Sequence, residues 1–361
     1  MTKLVKKKWY VWSHGAVVSL AVAALALAGW GTAADKGDIN GDGFVDADDA
    51  VILMNYLAGN LPLLAGDLSD ISPIVGVMIF APAGTFTQGS PSDEPCRTAS
   101  GTGMELQFNH TFTRNIAVMA TEVTQQMWQD LRSAQPSLPQ DPTDLSYGSG
   151  ASRPVQNLTW HEAILFANLL SVEQAADRAY FTDSSFTVPV DSTNYSTYPL
   201  YCDFVSSGYR LPTEGEWEYL CRAGTTAPFS VAEPSYTAGY CSLCTAGLLR
   251  RLESVAVFCA NVPSNWTLPA ATLAPSPWNL YDMHGNVAEW CWDSHSSSYN
   301  YPVGEATDYS MNDPTNTLRV ERGGSHGHDA NNCRSAHRNF AAKGDRTYTR
   351  GFRLVRTLVP D

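Results

Sequence analysis

One segment, WNLYDMHGNVAEWCWD (Trp278–Asp293), concentrates the turn and packing signals of this 361-residue chain. Its Gly-Asn pair stands between aromatic and acidic residues, where glycine allows a turn or a close backbone approach. Similar signals occur in RGGSHGHDANNCRSAHR (Arg322–Arg338) and GFRLVR (Gly351–Arg356). None of the three segments favours a long helix or a regular strand. Together they predict a loop-rich core packed with aromatic side chains.

Four earlier blocks accompany these segments, in this order: FAPAGTFTQGSP (80–91), IAVMATEVTQQMW (116–128), RPVQNLTWHEAILFANLLS (153–171) and GYRLPTEGEWEYLCRAGT (208–225). Over roughly residues 76–356 the chain resembles the formylglycine-generating enzyme, or sulfatase-modifying factor, family. The resemblance implies an α+β domain that is a variant of the C-type lectin fold, at residues 76–357, with a short tail at 358–361. Function has to be argued from the site, because one fold hosts many activities.

Local signals predict two helices ahead of the turn-rich strands. Thr124 is a candidate N-cap, with Trp128 on the apolar face of the helix that follows. Thr159 and Glu162 have the spacing of a capping box before an apolar stripe. His161, between them, is predicted to lie on the helix surface.

Charged residues cluster in the block 208–225, at Arg210, Glu214, Glu216 and Glu218, which could indicate acid–base chemistry. The family resemblance instead implies that they are structural, binding one another and the backbone. Arg334, Arg338 and Arg353 are predicted to be structural as well, binding carboxylates and carbonyls around the terminal strands.

The first 34 residues have the three parts of a secretory signal peptide: four lysines without an acid, an apolar run, and small residues at Thr32–Ala34. An uncleaved membrane anchor is the alternative, although the apolar run is short for a bilayer span of roughly 20 residues. Cleavage after Ala34 would change the net charge from −13 to −17, because four lysines and no acids are lost. We expect an exported protein, periplasmic or extracellular, with no membrane span after cleavage. Its acidity disfavours nucleic acid and anionic membranes as partners.

A calcium loop is predicted directly behind the signal, at residues 35–60, ahead of a linker at 61–75. Six residues at positions 1, 3, 5, 7, 9 and 12 would supply oxygen ligands, with Gly43 at the sharp turn; they are Asp38, Asn40, Asp42, Phe44 through its carbonyl, Asp46 and Asp49. The loop and the helix behind it resemble half of a dockerin, which implies a cohesin-type partner. The alternative is an acidic spacer that calcium orders.

A second calcium site follows from the family resemblance alone. It implies side-chain ligands from Asp282 and Glu289, with the carbonyls of Gly285 and Val287. A hydrogen-bonded turn without metal is the alternative. His284, in the same turn, is predicted to be exposed.

Eight cysteines in an exported chain favour disulfides. The candidates are Cys202, Cys221, Cys241, Cys244 and Cys259, whose partners the sequence leaves open. Cys241 and Cys244 form a C-x-x-C pair, but a structural zinc site needs a second pair.

The loop after Gly-Gly-Ser carries the chemistry of the resembling enzymes. They place two cysteines three and eight residues after that serine, and hold copper(I) and a substrate thiol there, since soft thiolates suit Cu⁺. In this chain the two positions are His328 and Cys333, so one thiolate is missing and copper use is in doubt. Two further hypotheses remain. His326, His328, Cys333 and His337 could bind another metal, or the loop could face a ligand through His326, His328, Asn331 and Asn332.

Three functions are therefore compatible with the sequence. The first is an exported, catalytically divergent family member that binds a peptide, protein or glycan. The second is an active oxidase that converts a cysteine of a sulfatase-type substrate to formylglycine. The third is a variable ligand-binding protein of the C-type-lectin type.

Overall fold

The computed structural model describes residues 74–98, 105–197, 199–233, 235–242, 244–262, 266–295 and 301–358. All of them belong to one compact unit that begins at Ile74. The predicted signal peptide lies outside the described residues, as do the calcium loop with its ligands Asp38 to Asp49 and the linker up to residue 73.

The described chain contains three α-helices, α1 (Gln125–Ala134), α2 (Trp160–Glu173) and α3 (Glu214–Arg222). The threonine directly before each helix, Thr124, Thr159 or Thr213, accepts a hydrogen bond from the backbone three residues on, and the side chain there bonds back. These capping boxes satisfy backbone donors that the helix leaves unpaired. The predicted caps at Thr124 and Thr159 are confirmed. None of the described helices combines the length and the apolar character that a membrane crossing requires.

Apart from three single 3-10 turns, short strands make up the rest of the regular structure in the described residues. In chain order they are β1 (Met78–Ala81), β2 (Gly84–Gln88), β3 (Phe108–Phe112), β4 (Ile116–Met119), β5 (Tyr180–Phe181), β6 (Tyr201–Cys202), β7 (Tyr209–Arg210), β8 (Ala256–Val257), β9 (His284–Gly285), β10 (Ala288–Ser294), β11 (Glu305–Thr307), β12 (Leu318–Arg322), β13 (Asn339–Ala342), β14 (Arg350–Gly351) and β15 (Val355–Thr357).

Two four-stranded sheets bring distant parts of the chain together. The first has the order β1-β4-β15-β7 and is antiparallel throughout, so the first strand and the last share a sheet. The second has the order β13-β12-β10-β14, with β14 parallel to β10. A third sheet, β11-β3-β2, and the pairs β5-β6 and β8-β9 complete the set. The architecture confirms the predicted α+β, loop-rich fold.

The main core lies between the helices and the two larger sheets. Trp128 of α1 stacks on Phe166 of α2 with ring centroids 5.2 Å apart. Phe352, from GFRLVR, meets Phe166 edge-on at 5.3 Å, while Trp160 lies 5.3 Å from Trp292. All five side chains are fully buried, and each such burial stabilises the fold by about 1.5–3 kcal/mol. The aromatic packing predicted for these segments is therefore present.

The prediction for His161 was wrong. Only 9% of this residue is exposed, because its ring packs edge-on against Trp160 at the start of α2. Burial lowers its pKa to about 4.

Candidate functional site

The candidate site is the segment after β12, where a glycine pair folds residues 325–333, here called the histidine loop, back onto the turn before β10. Gly323 and Gly324 have φ angles of +91° and +69°. A Cβ on Gly324 would lie 2.9 Å from both the Asn332 backbone and the Cys333 Sγ. A side chain at Gly324 would clash with these atoms, so glycine is required here. The turn that it forms covers the Cys333 thiol.

Cys333 is a free thiol with no exposed surface. It packs in a small apolar cluster that includes Phe229, Leu252 and Phe258. Burial raises the pKa of this thiol far above its ordinary value. At neutral pH Cys333 is therefore protonated, whereas the thiolate is the form that binds metals and attacks substrates.

A second buried thiol, Cys221 of α3, contributes to the raised pKa of Cys333. Its Sγ lies 3.5 Å from the Ser335 hydroxyl, and burial raises its pKa to about 12. The structure describes both residues as free cysteines, along with Cys202 and Cys291.

His328 does not take the place of the missing thiolate beside Cys333. Its ring Nδ1 lies 3.0 Å from the Ser325 hydroxyl. Its carbonyl accepts a 2.9 Å hydrogen bond from the Cys259 amide. The ring also borders a cavity of about 10 Å³, shared with Asn332 and His337. That volume is close to the space of one water molecule.

The prediction that His326 belongs to a ligand surface was wrong. Its side chain is fully buried, and Nδ1–H donates to the Asn286 carbonyl at 2.7 Å. The other ring nitrogen, Nε2, finds no hydrogen-bond partner among the residues that the structure describes. His326 thus connects the histidine loop to the turn before β10.

Asn331 and Asn332 are half-buried and hold the loop together. The Asn331 side-chain oxygen accepts from Arg334 Nε at 3.0 Å, and Asn332 Nδ2 donates to Asp329 at 2.7 Å. Among the described residues, no group of three or more His, Cys, Asp and Glu side chains is placed to hold a metal ion. The predicted metal cluster of His326, His328, Cys333 and His337 is therefore not formed.

His284 was predicted to be exposed, but only 1% of it is exposed, and its ring is hydrogen-bonded to the backbone of the site. Its Nδ1–H donates to the Cys333 carbonyl at 2.8 Å, and Nε2 accepts from the Ser230 amide at 3.0 Å. Burial lowers its pKa to about 4, so the ring stays neutral. The sequence carries no signal for this role, since a histidine in a Gly-Asn turn ordinarily indicates exposure.

Buried arginines directly after the loop bind carboxylates from other segments, as predicted. Arg334 binds Glu94 at 2.6 Å and both oxygens of Glu105 at 2.7 Å. Arg338 binds Glu214 through two nitrogens. Two-nitrogen contacts of this kind fix orientation as well as charge. Glu94 and Glu105 precede Arg334 by more than 200 residues, so no local sequence signal identifies them as its partners.

At the predicted second calcium site, the existing partners of each carboxylate decide which oxygens could bind the ion. Arg353 contacts both Glu289 oxygens at 2.7–2.9 Å, and Trp217 Nε1 donates to one of them at 2.7 Å. The negative charge of Glu289 is therefore already neutralised by Arg353. Asp282 is 4% exposed; its Oδ2 accepts a hydrogen bond from the Ala271 amide at 2.8 Å, and its side chain pairs with that of Glu122.

Glu122, which sequence reasoning did not select, lies beside Asp282. It is fully buried, accepts long hydrogen bonds of 3.4 Å from Asn286 Nδ2 and the Val287 amide, and pairs with the Asp282 side chain. Burial, and then the charges of Asp282 and Glu289, raise the pKa of Glu122 well above its ordinary value. Glu122 and Asp282 are therefore hard oxygen donors that fit a calcium ion, whereas Glu289 in this arrangement does not.

Two disulfides lie next to the site, Cys96–Cys241 and Cys244–Cys259. The prediction is confirmed for three of the cysteines and wrong for Cys202 and Cys221, which are buried and free. Each half of the C-x-x-C pair enters a different disulfide, which excludes it as a zinc ligand pair.

Comparison with known proteins identifies the family. A family model for the sulfatase-modifying factor enzyme 1-like domain matches residues 71–358. The chaperone protein LppX of Paenibacillus barcinonensis is 29% identical over 216 residues, covering 56% of this chain and 66% of LppX. The formylglycine-generating enzyme of Thermomonospora curvata is 31% identical over 140 residues, covering 37% of this chain and 41% of that enzyme. The chain thus spans less than two thirds of the length of these relatives.

Among solved structures, the Treponema denticola variable protein 1 superposes with a TM-score of 0.61 at 25% identity. The superposition covers 79% of this chain and 97% of that protein. It supports the C-type-lectin-like architecture expected from the sequence.

Proposed function

This chain belongs to the sulfatase-modifying factor enzyme 1-like family, and on that premise we propose that it is an exported, catalytically divergent member that recognises a ligand. In this proposal it binds a peptide, a protein or a glycan and does not oxidise a substrate thiol. The histidine loop is the region where the divergence lies.

The observation that carries the proposal is the state of the two positions after Gly-Gly-Ser. One is His328, whose ring bonds to Ser325, and the other is Cys333, a thiol without exposed surface. Copper(I) chemistry needs soft thiolates that the substrate can reach. Because Cys333 is buried and protonated, these residues do not fit a copper centre, and we derive no copper-dependent step for this chain.

Two relatives support recognition as the alternative activity. LppX is described as a chaperone, and the Treponema protein as a variable protein. The superposition on the variable protein covers 79% of this chain, and neither relative is described as an oxidase. Among the predicted ligand-surface residues of the loop, His328, Asn331 and Asn332 are half-buried, so a ligand could reach them.

Export and calcium belong to the same proposal. The basic and apolar N-terminus supports export, and so do the two disulfides, which persist in oxidising compartments. Calcium would be held by the loop that starts at Asp38, where a cohesin-type partner would also attach, and by Asp282 with Glu122.

The test is an oxidation assay on the chain purified after export to an oxidising compartment. The protein receives Cu(I), oxygen and a peptide with a Cys-x-Pro-x-Arg signature, and mass spectrometry follows conversion of the thiol to an aldehyde. A formylglycine-generating enzyme serves as the positive control. We expect no conversion from a folded protein. Conversion that is lost in Cys333→Ala would establish an oxidase and overturn the proposal.

A further inference from the structure

A groove on the segment between α2 and β7 has no role in the site described above. It is an open cavity of about 550 Å³ beside the β5-β6 pair. Its principal side chains are Asp177, Arg178, Phe181, Phe186, Asp203 and Val205. The volume lies within the range of roughly 300–1,000 Å³ that is typical of ligand pockets. We call it the Phe186 groove.

The loop at its rim holds an aromatic side chain in an unfavourable conformation. Phe186 has a φ of +56° and is 41% exposed. For a bulky residue this backbone region is a genuine outlier. Asp183 maintains it by accepting hydrogen bonds from Thr187 N at 3.0 Å and Val188 N at 2.6 Å. The fold thus stabilises an exposed aromatic ring at a backbone position that glycine would occupy at lower cost.

A second ring and two valines extend this apolar surface. Phe181 lies 5.4 Å from Phe186 between ring centroids, with the planes tilted by 52°. Val188 and Val205 are 48% and 67% exposed. The two rings present faces that can contact a flat or cationic group.

The charges of the groove indicate what that group is. Asp177 accepts one hydrogen bond from Ser207, and Asp203 one from the Val205 amide. In each carboxylate the other oxygen has no hydrogen-bond partner within the described part of the chain. Carboxylates next to aromatic faces favour a cation, and a guanidinium combines bidentate hydrogen bonding with stacking.

The groove is also lined by Arg178, whose positive charge a simple cation could not satisfy. The Arg178 side chain is exposed and helps to lower the pKa of Asp191, but no ion pair among the described residues includes it. A bound cation alone would be repelled by it, whereas a peptide also brings main-chain carbonyl groups that accept from a guanidinium. The ligand therefore carries both a cationic side chain and hydrogen-bond acceptors.

We propose that the Phe186 groove binds an arginine-bearing peptide segment of a partner protein. The arginine side chain lies against Phe181 and Phe186 and pairs with Asp177 and Asp203. Arg178 binds carbonyl oxygens of the same peptide. This inference goes beyond the proposed function, because it uses a different segment of the chain and does not depend on the histidine loop.

The test uses the full chain and a blocked Gly-Arg-Gly peptide, with a Gly-citrulline-Gly peptide of equal shape and no charge as the control ligand. Amide NMR shifts of residues 183–188 report binding. We expect the arginine peptide to bind about tenfold more tightly than the citrulline peptide, the ratio for one charge-assisted contact of about 1.4 kcal/mol. Equal binding of the two peptides, or no response to the arginine peptide, would overturn the proposal.

Variants locate the binding and separate it from folding. Phe186→Gly removes the ring and relieves the positive φ, so it is expected to abolish binding without lowering the melting temperature. Asp203→Asn should weaken the arginine peptide and leave the citrulline peptide unchanged. Leu145→Ala, an exposed apolar residue outside the groove, is the matched control. Unaltered binding in Phe186→Gly, or binding of a neutral oligosaccharide in place of the peptide, would contradict the assignment.

Discussion

The Arg353 guanidinium donates hydrogen bonds to both oxygens of the Glu289 carboxylate, at 2.7–2.9 Å. Neither side chain has more than 1% of its surface exposed. Arg353 also donates to the carbonyls of Met119, Ala120 and Tyr281. The pair therefore joins the closing Gly-Phe-Arg segment to the Gly-Asn turn and to the end of β4. The resemblance assigned Glu289 to calcium, whereas in this structure it neutralises an arginine.

Arg353→Ala should destabilise the protein by about 3–5 kcal/mol, because it leaves Glu289 buried and uncompensated. Chemical denaturation measures the loss. Arg346→Ala is the control: Arg346 pairs with Glu162, but its side chain is 43% exposed, so the expected cost is below about 1 kcal/mol. Adding Glu289→Gln to Arg353→Ala should recover part of the loss. Equal losses in the two single variants would contradict this account of the core.

Glu122→Gln should stabilise the protein by about 1 kcal/mol once the pH exceeds the folded-state pKa of Glu122, because the amide can donate to Asp282 at every pH, whereas the carboxyl group can donate to Asp282 only while it is protonated. Burial raises the folded-state pKa of Glu122 above its ordinary 4.5. The stability from its protonated form is therefore complete below pH 4.5 and is lost as the pH rises through the folded-state pKa. Glutamine does not titrate, so the advantage of the variant should grow with pH.

Denaturation curves from acidic to mildly alkaline pH test this expectation. Glu305→Gln is the control, since Glu305 is exposed on β11. Parallel profiles for wild type and Glu122→Gln would show that the buried carboxylate does not control the pH dependence.

Calcium should bind at two separable sites. Calorimetric titration of the full chain is expected to give two ions per molecule. Asp38→Asn with Asp42→Asn should remove one, and Asp282→Asn the other, because each change neutralises a hard oxygen donor. Wild type should also gain thermal stability with calcium, as any ligand that binds only the folded state produces. Full binding in Asp282→Asn would limit calcium to the N-terminal loop.

Removing the Cys244–Cys259 disulfide should loosen the histidine loop as well as lower stability. The two cysteines are 15 residues apart, and a loop of that length predicts a loss of about 3 kcal/mol. The Cys259 amide donates to the His328 carbonyl, so the double serine variant should show faster hydrogen exchange at position 259. Cys202→Ser, which removes a free buried thiol of β6, is the control. Unchanged exchange at position 259 would mean that the disulfide does not support the loop.

Local features of the fold were predictable from the sequence, because a threonine cap acts within four residues of itself. Thr124 and Thr159 illustrate this, and so does the aromatic packing around Trp290 and Trp292, which follows from residue type. The family resemblance supplied the architecture, which short strands such as β8 and β9 could not have indicated by periodicity.

Long-range partners were not predictable, because nothing local specifies them. Arg334 finds Glu105 across 229 residues, and Cys96 finds Cys241 across 145. His284 and His326 are in segments that favour exposure, but backbone carbonyls from other parts of the chain bury them. The candidate site therefore depends on contacts that appear only in three dimensions.

The central claim is that this chain lacks an accessible thiolate pair, and its copper(I) affinity tests that claim most directly. Competition with a chromogenic Cu(I) chelator at neutral pH would compare the wild type with Cys333→Ser. We expect both proteins to bind Cu(I) weakly and with the same affinity, because Cys333 is protonated and covered by the turn at Gly324. Tight binding by the wild type that is lost in Cys333→Ser would contradict it and restore the oxidase.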